Sequence, residues 1–358
     1  MQADKIEITP PPEHCWPYGQ RMVVQLTLNC PLKCRHCVVN ADHHRTEELS
    51  EETAAILHSE LSHCPDVKAL SITGGEPFTR LKRLEEFSAL AEDHDLNLYV
   101  VTSAFWAHTQ RHASRVLDRL AGTTQLNIST GVFHTPYVPL SHTRNAALAA
   151  LEKGMAVTFR IFSQGDVAFL EQIAGLFDEE ARERMEFMPM PVQTRGRAID
   201  LQMHGMDERT PLPQLAAVCC GGISSPFVMY DGTVTACNGF EKPDRRHPLT
   251  LGNIRQRPLG QILSDADRNF FIHALRLWGP RGIIDCITDK GGSPGLQEHY
   301  SVHDVCELCF DICDNPGLMD DVMEKLNEPE RQREIALGRA LRYGEQSMLG
   351  STCPLPSS

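Results

Sequence analysis

Six short apolar runs, each but the last followed by an amphipathic stretch, organise the first half of the chain. MVVQLTL (22–28), VKALSIT (67–73), LNLYVVTS (96–103), TQLNIS (124–129), MAVTFRIF (155–162) and MEFMPM (185–190) have the length and side-chain character of strands. Between them, residues 51–64, 81–94, 107–121, 142–153 and 167–180 repeat apolar side chains at i, i+3 and i+4, the period of a helix with one buried face. Right-handed crossovers that each cover a sheet face leave few topologies. The fold expected is α/β, a partial (β/α)6 TIM-like barrel over residues 21–192 behind an N-terminal extension (1–20). Chemistry in such a barrel sits at the C-terminal strand ends. Ser50, ahead of Glu51 and Glu52, is the expected N-cap of the first crossover helix. Residues 29–49 are then one long strand-to-helix loop, and loops of that length in a compact domain are usually functional.

Beyond residue 191 the rhythm breaks. PFVMYDGTVTACNG (226–239) carries the hairpin signal Asp231-Gly232 between alternating runs. A smaller C-terminal domain is expected over 193–318, with a helix at 258–278 and a Gly/Pro-rich segment at 279–295. A polar helix and a loose tail, STCPLPSS, follow over 319–358. No apolar run reaches the roughly 18 residues that span a bilayer, and the first residues lack the blocks of a signal peptide. A cytoplasmic protein without a membrane partner is the expectation. With 34 basic against 47 acidic residues and a net charge of −13, nucleic acid is not an expected partner either.

Thirteen cysteines in a compartment that keeps thiols reduced point to metal before disulfides. Cys30-Pro-Leu-Lys-Cys34-Arg-His-Cys37 follows the first strand directly. Three thiolates on one loop can hold three corners of an iron–sulfur cubane and leave the fourth iron open. The alternative is zinc with His36 as the fourth ligand, although structural zinc sites usually pair Cys-x2-Cys knuckles. Ser71-Ile-Thr-Gly-Gly-Glu-Pro77 ends the second strand on the same barrel face. Its glycines permit close backbone approach to a ligand, and Glu76 can bind an ammonium group.

These two motifs, in this order, resemble the radical S-adenosylmethionine (SAM) superfamily. The resemblance implies a [4Fe–4S] cluster on Cys30, Cys34 and Cys37 whose open iron is chelated by SAM, with Gly74, Gly75, Glu76 and Pro77 near the SAM amino group. His36 departs from the aromatic residue that many members carry there. By similarity, Ser103, Ser129 and Arg160 on later strand ends face the SAM ribose or carboxylate, against their plain readings as turn residues and a solvated charge. The segment STGVFHTPYVP (129–139) resembles a loop of auxiliary-cluster members, which makes His134 a substrate-contact candidate as well as a packed loop histidine.

The cysteines beyond the barrel resemble the SPASM extension, or its shorter twitch form. The full SPASM block Cys-x2-Cys-x5-Cys-x3-Cys is absent, so the twitch form is the better match. That resemblance implies one auxiliary [4Fe–4S] cluster on Cys220, Cys237, Cys306 and Cys309. Cys219 competes with Cys220, and Cys313 with the others; zinc on four thiolates is the rival metal. Cys286 and Cys313 are hydrogen-donor candidates if left free, although buried Cys more often serves as a small hydrophobe. Cys15, Cys64 and Cys353 read as ordinary thiols.

The resemblance further implies a flavodoxin- or ferredoxin-type electron donor, reductive cleavage of SAM to a 5′-deoxyadenosyl radical, and hydrogen abstraction from substrate. The substrate expected first is a ribosomally synthesised peptide, to be cross-linked, oxidised or epimerised. Only about 20 residues precede the first strand, too few for a leader-binding domain, so a separate leader-peptide-binding protein is the expected partner in that case. The alternative is a small-molecule dehydrogenase or epimerase acting on an aminocyclitol or sugar. A non-catalytic iron–sulfur or zinc protein is the reading from another class.

Overall fold

A computed structural model of the chain describes residues 17–345 apart from 163–166, 194, 202–207, 241–242, 288–294 and 303. Cys15, Cys353, most of the N-terminal extension and the terminal tail lie outside the described residues. The six expected strands are β1 (Arg21–Gln25), β2 (Ala69–Thr73), β3 (Asn97–Thr102), β4 (Thr123–Gly131), β5 (Ala156–Phe162) and β6 (Met185–Pro189), paired in that order and all parallel. The crossovers are α1 (Glu51–Leu61), α2 (Leu81–Asp93), α3 (Gln110–Leu117), α4 (Leu140–Glu152) and α5 (Val167–Ala174), the last followed by a short α6 (Glu179–Glu183). Ser50 caps α1 as expected, its side chain accepting from the Thr53 backbone N–H.

Strand alternation decides what each sheet face meets. Met22, Val24 and Leu26, Leu98 and Val100, and Phe159 and Ile161 all face the helices and pack with Leu57 and Phe87 in one core. Each fully buried side chain of that kind contributes about 1.5–3 kcal/mol. The intervening residues point to the other face, the barrel lumen, and there the side chains are largely polar.

The C-terminal region is woven into the same sheet. After β7 (Arg209–Pro211), β8 (Phe227–Val228) pairs in parallel with β1, and β9 (Thr233–Thr235) and β10 (Thr250–Asn253) extend the sheet to nine strands, β10-β9-β8-β1-β2-β3-β4-β5-β6. The expected hairpin turns at Gly232, φ +86°, with Asp231 accepting from the Thr233 backbone N–H.

The single helix expected over 258–278 is two, α7 (Leu259–Asp267) and α8 (Phe270–Ile287). Asn269 ends one and starts the other, its Oδ1 accepting from the backbone N–H groups of Phe271 and Ile272. Gly279-Pro280, expected in a loop, is a kink within α8. Gly279 has φ +69°, and a Cβ there would stand 1.8 Å from the Val218 carbonyl oxygen, so the break admits a neighbouring segment and helical turns resume to Ile287. β11 (His299–Ser301) pairs with β7. The last expected helix is also two, α10 (Pro316–Leu326) and α11 (Pro329–Tyr343), after α9 (Val305–Cys313). Leu318, Val322 and Ile335 of these helices join Phe271, Leu275 and Phe310 in a second core. Among the described residues, no helix is long and apolar enough to cross a membrane.

Candidate functional site

The loop from Asn29 to Leu49 is tied at its base before it carries any chemistry. Leu28 donates its N–H to Glu47 O and Cys30 to Asp42 O, while Asn29 Nδ2 donates to the carbonyls of His43 and Arg45. Cys30 and Cys34 are buried, Cys37 is half-buried, and Cys37 N–H donates to Cys34 O. Burial, then the Glu76 carboxylate and the other two thiols, raises the Cys30 thiol far above its ordinary range. Burial and Cys37 push Cys34 up to about 12, with Arg197 pulling the other way. Three thiolates can coexist in so dry a place only around a cationic body, which is what an iron–sulfur core supplies. Among the described residues, no three Cys, His, Asp or Glu side chains gather within reach of one metal ion. A single zinc would draw its thiolates to about 2.3 Å of one point, whereas a cubane takes one at each corner.

His36 is not aimed at a metal. Its ring stacks on Phe133 at 4.7 Å, meets His134 edge-on at 4.8 Å and lies 4.6 Å from Phe162. Burial, then Arg197, brings it down to about 4, and burial, then His36, brings His134 to about 3. Burial thus favours the neutral form of both rings, and His36 packs as an aromatic ring among Phe133, His134 and Phe162. The Nδ1 atoms of both are buried without a partner.

At the end of β2 the glycines also let the strand end pack tightly against the chain that enters the cysteine loop. A Cβ on Gly74 would stand 2.4 Å from Thr27 O, and one on Gly75 would stand 2.3 Å from Asn29 O. The bare backbone is needed against the chain entering the cysteine loop: Gly75 donates to Thr27 O and Glu76 to Asn29 O. Glu76 is buried, with Oε1 accepting from Phe78 N–H and Thr102 Oγ1 (2.8 Å), and Oε2 from Ser103 N–H (2.8 Å) and Ser103 Oγ (2.6 Å). Burial raises its pKa against those four bonds. The lone pairs are taken, so Glu76 offers a ligand its charge more than a free acceptor. Pro77 starts the short helical turn that follows. The Ser103 hydroxyl, expected near SAM, is spent on Glu76; nothing in the sequence links these two residues.

Ser129 and Arg160 are register partners across β4 and β5 on the lumen face. A further set of contacts was invisible in the sequence: Arg197, beyond the last of the six barrel strands, locks the cysteine loop by its carbonyls. Its N–H donates to Cys37 O (3.0 Å), Nε to Cys34 O (2.9 Å) and Nη2 to Ala41 O (2.7 Å). Two residues earlier, the Arg195 guanidinium lies over the Phe310 ring, 3.2 Å from its centroid, next to the second group of thiols.

That second group forms around α9. Cys306, Cys309 and Cys313 occupy successive turns of this helix, with Asp304 capping it. Burial, then Cys309, raises Cys220 to about 11; burial, then Cys220 and Cys309, raises Cys237 to about 12. Burial and Asp304, then the other three thiols, raise Cys306 further still. Cys309 is raised by a hydrogen bond with Cys313 and by burial. Cys219 points elsewhere: its thiol donates to Leu277 O and accepts from Arg342 Nη1, both at 2.9 Å. Cys64 packs in the first core. Cys286 lies in a surface cleft of about 380 Å³ with Trp278, Arg331 and Glu334, apart from both thiol groups.

Residues 24–188 match the family model of the radical SAM superfamily, and residues 219–280 match that of SPASM, an iron–sulfur cluster-binding domain. The chain carries a radical SAM superfamily domain followed by a C-terminal SPASM domain. Cys220 and Cys237 fall inside the second match; Cys306 and Cys309 lie beyond its end. No curated protein matches the chain. Among solved structures, BtrN in complex with AdoMet and 2-DOIA aligns with a TM-score of 0.45 and 12% identity, covering 74% of this chain and 90% of that one. Selenomethionine BtrN in an open conformation aligns with a TM-score of 0.43 and 13% identity, covering 80% and 97%.

Proposed function

We propose that this protein is an enzyme that cleaves SAM reductively and removes a hydrogen atom from a small polar molecule held in the barrel lumen. The radical SAM match over residues 24–188 carries the first half of this reading: a [4Fe–4S] cluster with SAM bound would supply the 5′-deoxyadenosyl radical. The chain's own part is to hold and shield. Cys30, Cys34 and Cys37 would ligate that cluster, Arg197 fixes their loop by its carbonyls, and Glu76 places a buried negative charge beside them. Cys220, Cys237, Cys306 and Cys309 would ligate one auxiliary cluster, with Cys313 hydrogen-bonded to Cys309 as a neighbour rather than a ligand. A flavodoxin- or ferredoxin-type protein is the proposed electron source.

The lumen carries the choice between the two substrate readings. Gln25 is fully buried there with neither amide atom partnered. Gln125 Nε2 donates to Asn127 Oδ1 and Thr158 Oγ1, and Thr158 donates in turn to Glu186, each at 2.9 Å. A floor of cross-linked amides, hydroxyls and charges recognises a compact polar molecule through several directed bonds. This favours the small-molecule reading over a peptide. The reduced, anaerobically reconstituted protein is expected to release methionine and 5′-deoxyadenosine from SAM in equal amounts. Reduced, cluster-loaded protein that leaves SAM intact would mean the reading is wrong.

A further inference from the structure

The inward faces of β1, β3 and β5 bring together two cations that have no anionic partner among the described residues. Arg21 precedes helix-facing Met22, and Arg160 sits between helix-facing Phe159 and Ile161, so both side chains belong to the lumen. Arg21 lies with Cζ 5.0 Å from the Tyr99 ring centroid, and its Nε is buried without a hydrogen-bond partner. Arg160 makes no hydrogen bond or ion pair among the described residues. Burial disfavours the charge on both, and Arg21 adds its repulsion to Arg160. Elsewhere the protein pairs its buried arginines with carboxylates: Arg276 and Arg339 share Glu345. The nearby acidic side chain on β6, Glu186, is engaged by Thr158.

We propose that Arg21 and Arg160 bind a carboxylate or phosphate group of the substrate, with Tyr99, over whose ring Arg21 lies, beside them. The proposal rests on the reading that the substrate occupies the lumen, and it names the substrate class: a small anion. Guanidinium forks suit such groups because they can donate two parallel N–H bonds to one carboxylate or phosphate. An anion between the two also offsets the repulsion of Arg160 by Arg21. The protein's overall negative charge is no obstacle, since the local field inside a cleft is set by the groups that line it.

The test uses the full, cluster-loaded protein with saturating SAM, titrated with inorganic phosphate against sodium chloride at equal ionic strength while the thermal midpoint is followed. Phosphate is expected to raise the midpoint of the parent. The half-effect concentration should rise at least about tenfold in Arg21→Gln and less in Arg21→Lys, which keeps the charge. Far-UV circular dichroism checks that each variant is folded. A parent indifferent to phosphate, or an equal response in Arg21→Gln, would overturn the proposal. A response present without SAM but abolished by it would also overturn it, because the arginines would then hold the cofactor's own carboxylate. Failure of SAM cleavage in the parent is a separate result and would count against the enzymatic reading, not against the anion site.

Discussion

Placing a methyl group at position 75, as Gly75→Ala, will cut SAM cleavage by at least about a hundredfold, the scale of loss when reacting groups are displaced by about an ångström. The new Cβ would fall 2.3 Å from Asn29 O, 2.8 Å from the Asn29 carbonyl carbon and 2.9 Å from that of Leu28. All three are backbone atoms, so no side chain can rotate away. Relief has to come from separating β2 from the chain that enters the cysteine loop. That movement breaks the Glu76 N–H to Asn29 O bond and shifts Cys30, one residue on, relative to Glu76. Gly260→Ala is the matching control. Its Cβ would meet only Cys64 Sγ at an ordinary 3.7 Å, and alanine favours a helix such as α7. Its yield of 5′-deoxyadenosine should stay within about twofold of the parent. Full cleavage by Gly75→Ala would show that the junction of strand and loop does not position the reaction.

The second large effect is on stability. Glu345→Gln is expected to cost about 3–5 kcal/mol, the usual loss when one partner of a buried ionic network is removed. Arg276, with 0% exposure, donates to both oxygens of Glu345, Arg339 Nε donates at 2.6 Å, and Tyr18 N–H donates at 2.8 Å. This one carboxylate therefore ties the end of α11 to α8 and to the residues just before β1. Burial acts upward on Glu345, but the hydrogen bonds and charge of Arg276, together with Arg339, outweigh it and hold the carboxyl at about 2. A carboxyl depressed in the folded state stabilises fully above its unfolded value of 4.5 and loses that contribution as pH falls toward about 2. The gap in thermal midpoint between parent and Glu345→Gln should accordingly narrow from pH 5 to pH 3, by melts followed at about unit steps. A gap that stays constant across this range would remove Glu345 from the acid response.

That knot was illegible in the sequence, where 319–358 reads as a polar helix and a tail. Glu345 is one of many acidic residues, and only the fold brings it to Arg276. The barrel was legible for the opposite reason: each strand buries one face under its own crossover, so Met22 and Val24 or Phe159 and Ile161 announce themselves by local period. The extension of the sheet through β8 was not, because a two-residue strand leaves no period to read. Gly279-Pro280 misled because a break that admits Val218 looks, in sequence, like the end of a helix.

The two thiol groups show the same division. Cys30, Cys34 and Cys37 are local, and their spacing is legible as one motif. The second group is gathered from three places: Cys220, Cys237, and Cys306 with Cys309 on α9. Sequence resemblance named those four but left Cys219 in competition with Cys220. The geometry turns Cys219 toward Leu277 and Arg342 instead. Resemblance also named Glu76 and Ser103, yet not that each is the other's partner. Arg21 was overlooked because an arginine at the start of a strand reads as a solvated charge until the opposite strand supplies another.

The central claim is that the first loop carries the SAM-binding cluster and the α9 region a separate one. Iron and sulfide per chain, counted in the anaerobically reconstituted parent and in Cys30→Ala/Cys34→Ala/Cys37→Ala, test it most directly, with EPR of the reduced proteins recorded with and without SAM. The account predicts about eight irons in the parent, about four in the variant, and a SAM-dependent change of signal in the parent alone. Equal iron in both, or a SAM-dependent signal that survives in the variant, would contradict it.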